Sequence, residues 1–78
     1  MSISLISLKL NEVAVVKDVI SKDRDVHRLI DMGVTKGARL RLTNYTSNKG
    51  PIQIKIRDYY IAIRYNLAKS IVVKTKNE

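Results

Sequence analysis

Apolar and polar positions follow two different periods along this chain, and the change between them marks its elements. Residues 13–20, Val-Ala-Val-Val-Lys-Asp-Val-Ile, are β-branched and almost continuously apolar, the pattern of a short strand buried over much of both faces. Ser21, Lys22 and Asp23 break that run. Val26, Leu29 and Ile30 then recur at i, i+3 and i+4, which places all three on one side of a helix of about three turns. Asp23 or Ser21 can cap its N-terminus, and Asp25 suits its first turn. Gly33 can end it in a left-handed conformation, with Val34 folding back on the last turn.

Residues 34–37, Val-Thr-Lys-Gly, read as a turn in which Gly37 takes the positive φ of a type II geometry. Beyond it the period is two. Ala38, Leu40 and Leu42 point one way and Arg39, Arg41 and Thr43 the other, so this strand is half-buried. A polar loop over residues 44–51 ends at Pro51, which can begin an edge strand. Ile52, Ile54 and Ile56 then lie inward while Gln53, Lys55 and Arg57 lie outward. Asp58 and Tyr59 make a tight reversal, and residues 60–65 return with Ile61 and Ile63 on the core side. Residues 66–70 form a single helical turn, residues 71–74 the last strand, and Lys76, Asn77 and Glu78 fray.

The order is strand, short helix, three-stranded meander, one helical turn, closing strand. With 78 residues there is room for one domain, residues 1–78, and for a small core only. Five short strands in such a chain hide their edges best by curling into a partly closed β-barrel. The apolar 45% is mostly Ile, Leu and Val, with no Phe or Trp, so the interior is aliphatic and the tyrosines sit at its margins. The absence of Cys removes disulfides, thiolate metal sites and cysteine nucleophiles, and suits a reducing cytoplasm. The first eight residues lack a basic n-region and are interrupted by Ser. No apolar run approaches the roughly 20 residues that a membrane span needs.

Lys and Arg number 15 against 7 Asp and Glu, a net charge of +8. The first 35 residues are balanced, whereas the remainder holds only Asp58 and Glu78 against its cations. A chain so basic in its second half is drawn to an anionic partner: nucleic acid, the inner leaflet of a membrane, or an acidic protein surface.

Arg28-Leu29-Ile30-Asp31-Met32-Gly33-Val34-Thr35-Lys36-Gly37 resembles the signature helix and turn of the FeoA family of ferrous-iron transport proteins. Leu5-Ile6-Ser7-Leu8-Lys9, Pro51-Ile52-Gln53-Ile54-Lys55-Ile56, Ile61-Ala62-Ile63-Arg64 and Ala68-Lys69-Ser70-Ile71 fit further stretches in order. The likeness covers essentially the whole chain. Three positions depart from the pattern: Lys36 replaces a turn proline, Leu10-Asn11 stands where Pro-Gly is common, and Asp58 takes a position that is often Gly. Asn and Asp tolerate left-handed geometry, so the backbone path can survive. The resemblance implies a mainly β, SH3-like barrel with one short α-helix and a helical turn before the last strand. It implies a cytoplasmic accessory role, soluble or peripheral to the inner membrane, beside a FeoB-type membrane transporter whose cytoplasmic part is the expected partner. The same barrel also follows the DNA-binding domain of metal-dependent repressors, but no helix-turn-helix is encoded here.

His27 lies near Asp23 and Asp31 at i−4 and i+4, which is a weak cation site at best. Without Cys or a second His the expectation is no metal site, no cofactor and a surface histidine. There is no nucleophile elbow, no paired-His motif and no phosphate-cradling loop among three glycines, so neither catalysis nor a small-molecule substrate is expected. The strongest chemical feature is a cationic row, Arg39, Arg41, Lys55, Arg57 and Arg64, on the outward face of adjacent strands. Like charges at cross-strand spacing repel and are best tolerated when something anionic binds. The plain alternative is a solvated strand face. Together with Arg24, Arg28 and Met32 on the helix, these residues are the candidates for partner contact, self-association included. Tyr45, Tyr59, Tyr60 and Tyr65 invite comparison with base-stacking barrels. Tyr59 and Tyr65 share the parity of Ile61 and Ile63 and read as core lids, so a nucleic-acid-binding barrel is the second reading.

Overall fold

The computed structural model describes residues 2–46 and 48–75. It contains six strands, β1 (Ser2–Ser4), β2 (Val13–Val19), β3 (Arg39–Tyr45), β4 (Ile52–Ile56), β5 (Tyr59–Ile63) and β6 (Ile71–Thr75). Helix α1 spans Asp25–Asp31, helix α2 spans Tyr65–Lys69, and a single 3₁₀ turn covers Leu5–Ser7. All strands belong to one antiparallel sheet of order β1-β6-β2-β3-β4-β5, which curls around an aliphatic interior. The fraying expected of Lys76, Asn77 and Glu78 lies outside the described residues.

The alternation that defines the meander holds throughout. Leu40 and Leu42 on β3, Ile52, Ile54 and Ile56 on β4, and Ile61 and Ile63 on β5 are all buried. Burial of side chains of this size contributes about 1.5–3 kcal/mol each. From the other half of the chain Ala14, Val16, Ile71 and Val73 complete the same cluster, with Leu5, Leu8, Leu29, Val34, Leu67 and Ala68 closing its ends. On β2 the buried residues alternate, Ala14 and Val16 only, so the strand is less enclosed than its apolar run suggests. Its register against β6 shifts between Val16 and Asp18. That bulge lets the consecutive Lys17 and Asp18 both face solvent.

The sheet has six strands rather than the five expected, because Ser2–Ser4 pairs with β6. Three residues carry no readable periodicity of their own, and only the distant partner makes them a strand. Ser4 then does double duty: its Oγ accepts from the Ile6 amide at 3.4 Å and donates to the Lys69 carbonyl at 2.8 Å.

Helix α1 is seven residues, about two turns rather than three. Neither Ser21 nor Asp23 caps it directly. Ser21 Oγ accepts from the Asp23 amide and Asp23 Oδ1 from the Asp25 amide, so the two side chains shape the approach, while the N-cap residue, Arg24, makes no capping bond. Leu29 is buried and Val26 half-buried, but Ile30 is 44% exposed. The buried ridge therefore runs Val26, Leu29, Met32, the i, i+3 row of a helix lying on the rim of the barrel, and Ile30 falls to one side of it.

The end of α1 is a Schellman motif. The Val34 amide donates to the Leu29 carbonyl at 2.9 Å and the Gly33 amide to Ile30 at 3.0 Å, with Leu29 and Val34 packed in the core. The following turn closes from the Ala38 amide to the Thr35 carbonyl at 2.9 Å, with Gly37 at φ 88° in its third position. Gly37 and Ala38 also exchange hydrogen bonds with Val16, at 2.8 Å each, which fastens the helix-turn unit to β2. Asn11 takes φ 68° where a glycine would be at ease, as expected. In the β4–β5 hairpin the left-handed residue is Arg57 at φ 54°, and not Asp58. Ile56 pairs directly with Tyr59, so the loop has two residues, and its first position carries the positive φ.

Gly33 sits at φ 101°, and a Cβ there would stand 3.2 Å from Arg57 Nε and 3.3 Å from the Tyr59 hydroxyl. Around Gly37 the same atom would meet nothing within 4 Å. Gly37→Ala should therefore lower stability by about 1 kcal/mol through backbone strain alone. Gly33→Ala should cost about 2 kcal/mol or more, because strain and displaced neighbours add. Urea midpoints of the two variants check the order.

Candidate functional site

The sequence-predicted contact residues separate into two places. Arg39, Arg41, Lys55 and Arg57 come together, with Val13 and Leu40, around a shallow depression of about 460 Å³ on the outer face of β2, β3 and β4. The register explains the gathering: Val13 stands opposite Arg41, Arg41 opposite Lys55, and Lys55 opposite Tyr60. One row thus crosses four strands. Arg39 and Arg57 lie beyond it at the same end of the sheet. None of these four cations forms an ion pair among the described residues, and Arg41 and Lys55 face each other across a strand pair at a spacing where like charges oppose folding.

Tyr60, 58% exposed, extends this row; the sequence marked it only as one of four tyrosines that could stack bases, not as a neighbour of the cations. Lys55 Nζ stands 5.8 Å from its ring centroid, a cation–π contact. A base would meet the ammonium on that face of the ring, and Ala62, also exposed, offers no second platform.

Arg64 does not join the row. β5 ends at Ile63, and Arg64 becomes the residue before α2, so the outward parity of the strand does not extend to it. Its guanidinium instead donates through one nitrogen to Asp25 Oδ2 and through the other to Asp23 Oδ2. The carboxylates that looked like helix-start residues are therefore also an anchor for β5. The Asp23 carboxyl is held below its ordinary range, first by the Asp25 amide and then by Arg64, while Asp23 and Asp25 push Arg64 further into its protonated form.

Arg28, Met32 and Arg64 line a second depression, about 440 Å³, between α1 and the exposed side of β5. Asp25, Leu29, Leu67 and the run of residues 60–63 complete it. Tyr59 is no core lid: it is 39% exposed, and its hydroxyl donates to the Met32 carbonyl at the end of α1. Tyr65 is half-buried at the start of α2, and Tyr45 is 56% exposed at the sheet rim. Arg24, the N-cap of α1, and His27 within it are exposed. Among the described residues no three His, Cys, Asp or Glu side chains gather so as to hold a metal ion, and Asp23 faces Arg64. No helix among them is long and apolar enough to cross a membrane.

A family model for the FeoA domain matches residues 3–75. Among solved structures the chain is similar to the FeoA protein of Chlorobium tepidum, with 27% identity and a TM-score of 0.87 over 95% of this chain and 70% of that one. It is similar to Stenotrophomonas maltophilia FeoA, a structure complexed with zinc and described as a prokaryotic SH3 domain protein, with 28% identity and a TM-score of 0.77 over 92% and 89%. A FeoA-like protein of Clostridium acetobutylicum shares the fold at 22% identity, with a TM-score of 0.83 over 99% and 90%. No curated protein sequence matches significantly. The curled six-stranded sheet is thus the SH3-like fold.

The anchor on Arg64 predicts a pH dependence. Because the Asp23 carboxyl is depressed in the folded state, the stability it contributes is complete above the ordinary carboxylate pKa and is lost as pH falls through its lowered native value. In Arg64→Ala the Asp23 pKa should rise only part of the way to its ordinary value, since the Asp25 amide remains. NMR titration of the side-chain carboxyl carbons of the two proteins measures this directly.

Proposed function

The chain belongs to the FeoA family, and on that premise we propose that it is a non-catalytic cytoplasmic accessory protein of ferrous-iron uptake that docks on the cytoplasmic part of a FeoB-type transporter. The observation that carries the reading is the group of four cations, Arg39, Arg41, Lys55 and Arg57, without carboxylate partners among the described residues, on a face that the fold has no need to make basic. An acidic surface laid against them would relieve the Arg41–Lys55 opposition and gain charge-assisted hydrogen bonds from three arginines. The Stenotrophomonas relative has been put forward as a ferrous iron transport activating factor, which supports the same direction. The role is one of assembly or regulation, and iron is the transporter's cargo.

A basic nucleic-acid-binding barrel is the competing reading, favoured by Tyr60 at the end of the Arg41–Lys55 row. The ammonium over its ring and the absence of a neighbouring aromatic on that face weigh against it, because single strands are held by successive stacked bases.

The purified transporter cytoplasmic domain should retain this protein at low salt and release it as salt rises. The double variant Arg41→Glu/Lys55→Glu should lose at least about tenfold in affinity, since reversed charges repel an acidic surface as strongly as the native ones attract it. Retention unchanged in that variant, or no retention in dilute buffer together with normal iron uptake in a deletion strain, contradicts the proposal. A gel shift with single-stranded oligonucleotide under the same conditions should show no retardation.

A further inference from the structure

Strand β5 is an edge of the sheet, and it is an unguarded one. Natural edges are blunted by shortness, by Lys or Pro, or by a bulge. The opposite edge, β1, has three residues. β5 has five, Tyr-Tyr-Ile-Ala-Ile, as long as its partner β4, in unbroken register with it and with no charge or proline.

The hairpin geometry says which backbone groups are free. With a two-residue loop, Ile56 and Tyr59 exchange both hydrogen bonds, and the pattern repeats at Ile54–Ile61 and Ile52–Ile63. The N–H and C=O groups of Tyr60 and Ala62 therefore point away from β4. No backbone or side-chain group among the described residues bonds to them. They open into the depression that α1 overlooks.

Helix α1 flanks this edge without closing it. Tyr59, at the start of β5, holds the Met32 carbonyl just beyond the end of α1, and Arg64, just past the end of β5, holds Asp25 and Asp23 at its beginning. The helix thus runs antiparallel to β5, tied by a side chain at each end, with a gap of about 440 Å³ between.

We propose that this gap admits an extended segment of a partner protein, which adds to β5 as a further strand through Tyr60 and Ala62, and that the segment alternates aliphatic with acidic residues. Strand addition supplies main-chain hydrogen bonds for affinity, and alternate side chains supply specificity. The positions facing inward would meet Leu29, Met32 and Leu67, which are apolar. The positions facing outward continue the row Arg41, Lys55, Tyr60, and have Arg28 in the lining of the gap, whereas the one carboxylate there, Asp25, is already engaged by Arg64, so acidic side chains complement them. A second copy of this chain is the poorer occupant, because it would set two molecules of charge +8 edge to edge. The inference rests on the sheet geometry and is independent of the transporter reading.

Amide hydrogen exchange on the full chain tests it, with the peptide Glu-Val-Glu-Val-Glu-Val as probe. In the free protein the Tyr60 and Ala62 amides should exchange rapidly and those of Ile61 and Ile63 slowly. The peptide should protect Tyr60 and Ala62, while the same peptide N-methylated along its backbone, or with Lys for Glu, should not. Ala62→Pro removes an outward donor without touching a ladder bond, so it should fold and bind the probe about tenfold more weakly. The N-methylated peptide gives the same discrimination if that variant does not fold. Protection of Tyr60 and Ala62 in the free monomer, no protection on adding the peptide, or equal binding by Ala62→Pro overturns the proposal. So does protection that rises with protein concentration alone and accompanies a doubled mass, which would make the occupant a second copy.

Discussion

The inward side chains of Leu40, Leu42, Ile52, Ile54, Ile56, Ile61 and Ile63 share one side of a curled sheet, and the rest of the molecule is arranged to keep water away from them. A chain of this length buries little surface per residue, so it cannot leave one face of a sheet open. Curling solves the problem with few residues. β2 and β6 bring Ala14, Val16, Ile71 and Val73 against the same cluster, and the short helices and the 3₁₀ turn plug the ends with Leu5, Leu29 and Leu67. No large aromatic is needed, and no polar side chain is buried among the described residues.

The consequence for function is that everything chemical is pushed to the outside. Each aliphatic residue directed inward on β3 and β4 directs its neighbour outward, and those neighbours include Arg39, Arg41 and Lys55 beside Thr43 and Gln53. Cross-strand register converts their spacing along the sequence into a compact basic face. A second consequence follows at the end of the meander. β5 is stabilised by β4 on one side and by its buried isoleucines beneath, so its other edge can stay unpaired without unravelling the strand.

Helix α1 links these features. It is too short to be stable alone, and its hold on the barrel comes from Leu29, Val34 and the Schellman turn on one side and from Tyr59 and Arg64 on the other. Gly33 is the meeting point, since a side chain there would press on Arg57 and Tyr59 together. The signature Arg28 to Gly37 therefore encodes a joint as much as a helix: it fastens α1 to β2 through Gly37 and Ala38 and presents its end to β5.

Local pattern was enough for the elements whose partners are near in sequence. The period of two over β3, β4 and β5, the left-handed Gly33 and Gly37, and the turn before β6 were all legible, because each depends on side-chain alternation or on backbone freedom at single residues. The basic face was legible for the same reason, up to Arg57. What was not legible depends on contacts across the fold. β1 exists only because β6, some seventy residues later, pairs with it. Ile30 is left exposed because α1 lies on the rim along its Val26–Leu29–Met32 ridge. Arg64 leaves the cationic row because β5 stops one residue earlier and two carboxylates at the start of α1, Asp25 in its first turn and Asp23 just before it, reach its guanidinium. The position of the left-handed residue in the β4–β5 hairpin, Arg57 and not Asp58, was set by the register of the pair. Periodicity determines which face of an element is buried; which edge is left over, and which charge finds a partner, is decided only when distant segments are brought within a few ångströms of one another.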